Sequence, residues 1–219
     1  MDPQDRSGRA HRVADRVRDG ILDGTYGVGT RLSEPELCAA FDVSRNTLRE
    51  AFRMLAEERL AVHELNRGVF VRVPSPADVH ELYDARRLVE CAAVRDHGRR
   101  TDGLDAVAET LERAGRLAAV GDWVGVGTAD IDFHRALTAL GSVRIEVLMQ
   151  SVWNEMRLAF HVVGSPERFH GTYLARNHVV LDTLVQRGGV AAAKELRSYL
   201  DEAEDRVLRA YRDRAATSA

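Results

Sequence analysis

The sequence predicts a mainly α protein in two parts: a small head of three helices and a β-hairpin, then a larger all-α antiparallel bundle. Three observations carry this. Apolar residues recur at helical spacing through most of the chain. Residues 61–73 instead hold two short β-prone runs, AVHEL and GVFVRV, around Asn66-Arg67-Gly68, which is a hairpin pattern. Pro74-Ser75-Pro76 then breaks the chain, and no β-alternating segment follows it. The expected division is a head over residues 1–73, a stiff linker over 74–76 and a bundle over 77–219.

The head reads element by element. Residues 9–24 carry Val13, Val17, Ile21 and Leu22 on one helical stripe, with Gly24 as the stop. TYGVGT is a turn-rich connector. Ser33 opens a short second helix ending near Phe41, with Pro35 early and Glu36 placed for a capping box. Asp42-Val43 makes a tight turn, and Ser44 caps a third helix whose apolar stripe is Leu48, Phe52, Leu55 and Leu60. Helix, helix, tight turn, helix, hairpin is the order of a winged helix-turn-helix.

After residue 76 the stripes predict helices near 77–97, 102–119, 122–140, 143–163, 167–187 and 190–214. Breaks fall at HGRRTDG, VGD, GS, GSP and RGG. Short loops between amphipathic helices favour antiparallel packing.

Composition sets the broad class. The length of 219 residues suits one large or two small domains, and a hydrophobic content of 45% supplies a real core. No apolar run spans a bilayer, and the polar opening MDPQDRSGRAHR has no apolar signal core, so a soluble cytoplasmic protein is expected. Cys38 and Cys91 sit in partly apolar helical contexts and read as reduced thiols. The net charge of −3 does not advertise a nucleic-acid partner, so charge placement matters more than the sum. Residues 1–73 hold 12 Arg against 12 acidic residues, and the rest of the chain carries the whole deficit.

Arg45, Arg49 and Arg53 recur every four residues and form one basic edge opposite the apolar stripe of the third helix. Asn46 and Thr47 lie in its first turn, where a recognition helix meets base edges. Arg can bridge guanine, Asn can pair with adenine, and Thr can touch a thymine methyl. The Ser44-capped N-terminus offers amides to a phosphate, and Gly68 at the hairpin permits close approach. A solvated arginine row is the plain alternative for the helix alone; the complete order of elements argues against it.

The stretch ILDGTYGVGTRLSEPELCAAFDVSRNTLREAFRMLAEERLAVHELNRGVFV resembles the N-terminal domain of GntR-type bacterial transcription regulators. Its G-x-x-x-G-x-x-L opening, VSRNTLREA and R-G-V-F-V wing carry the match over residues 10–73. The resemblance implies that Ser44, Arg45, Asn46, Thr47, Arg49 and Gly68 face DNA. Pro35 stands where relatives often have a basic residue, so a contact from the second helix is missing or replaced.

The second part resembles the FadR-like branch of that family, of FCD type, through YDARRLVE at 83–90, ADIDFHRAL at 129–137 and the helix of His178. That resemblance implies a small metabolite, often a carboxylic acid, inside the bundle, and in many members a divalent metal on one Asp and three His. Asp130 and His134 stand four apart, on one helical face, and match the first two ligands; His178 matches the next. Where the last histidine is expected the chain has Tyr199, and no histidine follows His178. Three ligands with an open position can hold zinc or nickel. Alternatively, Tyr199 hydrogen-bonds a ligand in a metal-free pocket with Asp130 and His134 as polar anchors. His161 or His170 is a substitute ligand whose position spacing does not reveal, and core histidines are the plain reading.

Arg86 or Arg87 can fork onto a metabolite carboxylate, as can Arg157; ion pairs with Asp84 or Glu90 are the plain reading for the first two. Trp153, Met156 and Phe160 read as core.

The expected function is a metabolite-responsive transcription regulator that pairs as a homodimer on an inverted-repeat operator in double-stranded DNA. The resemblance implies repression released by the metabolite. The competing class is a metal-dependent hydrolase fused to a winged domain, with Asp130, His134 and His178 on zinc and Asp132 as base. Asp132 lies two residues from both Asp130 and His134 and so points off their face.

Overall fold

The computed structural model describes residues 3–98, 100–163 and 166–217. Contacts divide the chain after Pro74 into two units. In the first, α1 (Pro3–Leu22) begins earlier than its stripe suggested, and it buries Val13, Val17 and Ile21 as expected. β1 (Arg31–Leu32), α2 (Glu34–Phe41), α3 (Arg45–Glu57), β2 (Ala61–Glu64) and β3 (Gly68–Val71) follow. The whole predicted stripe of α3 is buried: Leu48, Phe52 and Leu55, then Leu60 beyond its end. Arg18 of α1 donates two bonds, 2.6 and 2.5 Å, to the Glu58 carboxylate that ends α3, tying the two packed helices together.

Two local expectations are corrected. The hairpin is one part of a three-stranded antiparallel sheet of order β1-β3-β2, in which Arg31 pairs with Phe70 and Leu32 with Val69. A two-residue strand has no alternation to read, so the connector concealed it. Ser33 stands at the N-cap of α2, yet its side chain makes no capping bond; the box with Glu36 is not formed. Ser44 does cap α3, its Oγ accepting from the Thr47 amide at 3.2 Å. Asp42, between the two helices, takes the left-handed conformation at φ 50°.

The second unit is all helix: α4 (Pro76–His97), α5 (Leu104–Ala119), α6 (Trp123–Ala139), α7 (Val143–Leu148), α8 (Gln150–Val162), α9 (Pro166–Arg187) and α10 (Gly189–Thr217). Ser75 forms a reciprocal capping box with Asp78, and Pro76 is already the first residue of α4, so the proline triplet merges into a helix start. The single helix expected over 143–163 is two helices. The chain turns at Met149, whose amide is shared between the carbonyls of Ile145 and Glu146. No Gly or Pro marks that break, which is why periodicity ran through it. Arg99, in the first expected break, and Gly164-Ser165, in another, lie outside the described residues.

α4 packs along α10, α5 along α6, and α9 on both α6 and α10. The core they enclose includes Tyr83, Phe133, Leu137, Met156, Phe169, Leu196 and Tyr199. Arg87 belongs to the outer framework. It donates to Asp84 on its own helix and to Asp201 and Glu204 of α10, at 2.6–3.1 Å, so the ion-pair reading holds for it.

Candidate functional site

Two regions of interest emerge, one in each unit. In the first, the N-terminal half of α3 and the β2–β3 turn face a common groove of about 920 Å³. Ser44, Arg45, Asn46, Arg49 and Arg53 are exposed along the free edge of α3. Thr47 is not: its side chain is buried and its hydroxyl sits 2.9 Å from that of Ser44, so it braces the helix start.

The face is charge-compensated. Arg49 sends two nitrogens to Glu34 of α2, at 3.1 and 3.4 Å, across a largely exposed gap. Arg53 lies 3.7 Å from Glu50, and Arg67 pairs with Glu64. These exposed pairs are weak and give way to a stronger anion. Glu34 therefore stands beside the exposed arginine edge of α3, a neighbour that the helical pattern alone did not flag.

Gly68 closes the turn at φ 109°, and a Cβ there would stand 3.3 Å from Arg31 Nε. The dihedral favours glycine, whereas the exposed Arg31 side chain could yield the few tenths of an ångström that a Cβ needs. Arg31, exposed on β1, thus joins the face through the strand the sequence reading missed.

In the second unit, α6 directs Gly127, Asp130 and His134 inward on one face, as their spacing predicts. Asp130 and His134 are buried. Around them lie Arg86 and Glu90 of α4, Trp153 and Arg157 of α8, His170 and Asn177 of α9, and Tyr199 of α10, all buried. His134 Nδ1 is 2.6 Å from Glu90 Oε2, and its Nε2 is 3.1 Å from the Tyr199 hydroxyl. Asn177 Nδ2 donates to Asp130 Oδ1 at 2.6 Å, and the Tyr199 hydroxyl lies 3.4 Å from the same oxygen. Arg86 Nε donates to Glu90 Oε1 at 2.7 Å.

The electrostatics follow from burial. Burial alone pushes the Glu90 carboxyl up, but the charges of Arg86 and His134 and their hydrogen bonds bring it below the usual range. Burial, reinforced by Asp130, holds the Tyr199 phenol well above its ordinary value.

His178 is corrected. It is exposed on α9, while Asn177, one residue earlier, takes the inward place. One residue is a 100° rotation on a helix. The signal was available: Tyr173, Asn177, Val180 and Leu184 continue the buried stripe at steps of four, three and four. Among the described residues no three histidine, cysteine, aspartate or glutamate side chains converge as metal ligands. Asp130 Oδ1 and both ring nitrogens of His134 already have an amide, a phenol and a carboxylate as partners.

The ligand candidates fare differently. Arg86 and Tyr199 both reach the centre. Arg157 does so too, with Nη2 donating to the Val124 carbonyl at 3.0 Å. A Cβ at Gly127 would lie 2.5 Å from His170 Nε2 and 3.0 Å from Arg157 Nη1, so glycine is what lets these two side chains approach α6. Arg86, Asp130, Ile131, His134, Trp153, Met156 and Phe160 line a closed crevice whose cavity volume is about 0 Å³, so its walls meet with no room for a water. The three residues of α8 expected as core are therefore core and crevice wall at once. Trp153 Nε1, His170 Nδ1 and Asn177 Oδ1 are buried there without a hydrogen-bond partner among the described residues.

The hydrolase alternative gains no support. Asp132, its proposed base, is bound to Arg113 and lies 3.7 Å from Arg135, off the inward face.

His170 carries a pH prediction. Burial lowers its proton affinity, Asp130 raises it and Arg157 lowers it, with the net direction downward. The folded state thus prefers the neutral ring. Its stability contribution is intact above the unfolded value near pH 6.5 and is lost as pH falls below it toward the depressed folded value. Melting curves from pH 8 to pH 5, at roughly unit steps, will show a steeper decline for the native chain than for His170→Gln. Parallel curves would refute the assignment.

Comparison with known proteins places these features in context. Residues 9–71 match the model for bacterial regulatory proteins of the gntR family, and residues 81–202 match the FCD domain. The HTH-type transcriptional repressor RspR of Escherichia coli K12 is 30% identical over 202 residues, covering 87% of this chain and 85% of that protein. The gluconate operon transcriptional repressor of Bacillus licheniformis is 28% identical over 156 residues, covering 69% and 62%. The crystal structure of a GntR transcriptional regulator from Rhodococcus sp. RHA1 superposes with a TM-score of 0.90 at 56% identity, covering 93% of this chain and 99% of that one. No helix among the described residues is long and apolar enough to cross a membrane.

Proposed function

The chain belongs to the GntR family of bacterial regulatory proteins and carries an FCD domain, and from that membership we propose that it represses transcription until a small organic acid enters its helical bundle. The observation that carries this reading is the exposed edge of Arg45, Asn46, Arg49 and Arg53 beside a glycine-hinged wing. A helix edge carrying Arg and Asn is suited to a major groove, with the wing turn and the amides of the Ser44-capped helix start on the flanking phosphates.

One head contacts too few base pairs for selective binding in a genome, so the active form is a homodimer on an inverted repeat. The names of two relatives, both transcriptional repressors, support the sign of the response.

The effector's charge is argued from Arg86. Its Nε serves Glu90, and among the described residues no hydrogen bond reaches its Nη1 or Nη2, which sit against the rings of Tyr83 and Trp153. A buried guanidinium with a free two-donor edge suits a carboxylate. The effector acts only through a difference in its affinity for the two operator-binding states.

The test uses the full chain and DNA fragments upstream of its own and adjacent genes, in gel-shift titrations at low and physiological salt. One fragment is expected to bind at physiological salt, with two-fold symmetric footprints and a dimer mass in solution. Release by a member of a panel of small carboxylates, absent in Arg86→Met, is expected next. Binding to no fragment at either salt would sink the regulatory reading. Release by neutral metabolites alone would sink only the effector class.

A further inference from the structure

The family resemblance leads one to expect a divalent ion at Asp130 and His134. We propose instead that the centre of this bundle works without a metal, its cross-linking role taken over by a hydrogen-bond chain through Tyr199 and Asn177. The inference concerns this chain's own donors and stands whether or not an organic acid is the effector.

A cation needs lone pairs aimed at one point. Here the groups arriving at Asp130 from α9 and α10 are donors. The Asn177 amide N–H points at Asp130 Oδ1 from 2.6 Å, and the Tyr199 hydroxyl is 3.4 Å from the same oxygen. Each turns the positive end of a dipole toward the position that a cation would take. His134 has no nitrogen to spare: Nδ1 is engaged by Glu90 at 2.6 Å and Nε2 by Tyr199 at 3.1 Å. The imidazole that the family resemblance assigned to this place, His178, is exposed. The guanidinium of Arg86 also lines the crevice with Asp130 and His134, which disfavours a second cation in the same small volume.

What a metal supplies in such a place is a link between helices, and the polar chain supplies the same link. It runs from Arg86 and Glu90 on α4, through His134 on α6, to Tyr199 on α10, then back to Asp130 on α6 and out to Asn177 on α9. Four helices are joined by side chains that are all buried. In a low-dielectric interior such bonds are strong; Asn177 Oδ1, at one end of the chain, has no partner among the described residues.

The test needs no knowledge of the effector. The purified full chain is incubated separately with zinc, nickel and manganese salts, desalted and assayed by elemental analysis. Its thermal melt is recorded with and without EDTA. The native chain is expected to retain only background metal and to melt at the same temperature in both buffers. Stoichiometric metal that disappears in His134→Ala, or a clear loss of melting temperature in EDTA, would overturn the proposal. Metal retained equally by the native chain, His134→Ala and Asp130→Ala lies outside this centre and leaves it metal-free, as proposed.

A second variant tests the replacement itself. Tyr199→Phe keeps the ring and removes the hydroxyl, and is expected to lower the melting temperature by about 2–6 °C while metal content stays at background. An unchanged melt would show that the phenol is not the link. Asn177→Ala together with Tyr199→Phe, on a chain still helical by circular dichroism, is expected to lose more than either change alone.

Discussion

Replacing Glu90 by alanine will destabilise the bundle by about 3–5 kcal/mol, the usual consequence of removing one member of a buried charge pair. Glu90 is fully buried and serves two partners at once, Arg86 Nε at 2.7 Å and His134 Nδ1 at 2.6 Å. Without it the guanidinium of Arg86 stays in the core with no counter-charge, and His134 loses the group that orients its ring. For a chain of this size that corresponds to roughly 6–20 °C in melting temperature. Glu90→Gln keeps the shape and one acceptor and should lose less. The paired change Glu90→Leu with Arg86→Met removes both charges and should recover part of the loss, because an apolar pair needs no compensation. Scanning calorimetry of the four proteins checks the series. A single alanine variant within about 1 kcal/mol of the native chain would mean that water reaches this centre and screens it.

Arg49→Ala will weaken operator binding by about 1–3 kcal/mol, roughly 5- to 150-fold in Kd, if the guanidinium forks onto a base. In the free protein Arg49 is held by Glu34 at 3.1 and 3.4 Å, so its fork is pre-extended along the exposed edge of α3. The carboxylate must be exchanged for the DNA acceptor, a small loss because the pair is exposed. Fluorescence anisotropy against the operator and single-base variants separates the contact types. A base contact removes discrimination at one position and leaves the salt slope nearly unchanged. A phosphate contact weakens all sequences alike and lowers the slope by about one. Native-like affinity in Arg49→Ala would mean that this edge of α3 does not enter the groove.

The head was the more legible half. Its signals are local: Ser44 caps within its own turn, the α3 stripe repeats every three to four residues, and Asn66 and Gly68 mark a hairpin turn. What it concealed was non-local or minimal. β1 is two residues long and exists because β3 pairs with it, and the pairing of Glu34 with Arg49 bridges two helices. The bundle yielded its helices, apart from the break at Met149, but not its centre. The Asp130 and His134 pairing was legible because both lie on α6, where a spacing of four settles the face. Their partners come from other helices, and there a one-residue error in register exchanges a buried amide for an exposed imidazole, as at Asn177 and His178.

By itself the sequence determined the fold class, most of the helices and the exposed arginine edge of α3, because helical period, caps and turn residues act over a few neighbours. Tertiary structure alone decided the company kept by Asp130 and His134: Glu90, Asn177 and Tyr199 arrive from three other helices. The physical reason is that burial and hydrogen-bond direction depend on how helices rotate against one another. That rotation is set by the packing of the whole core and not by any local run of residues.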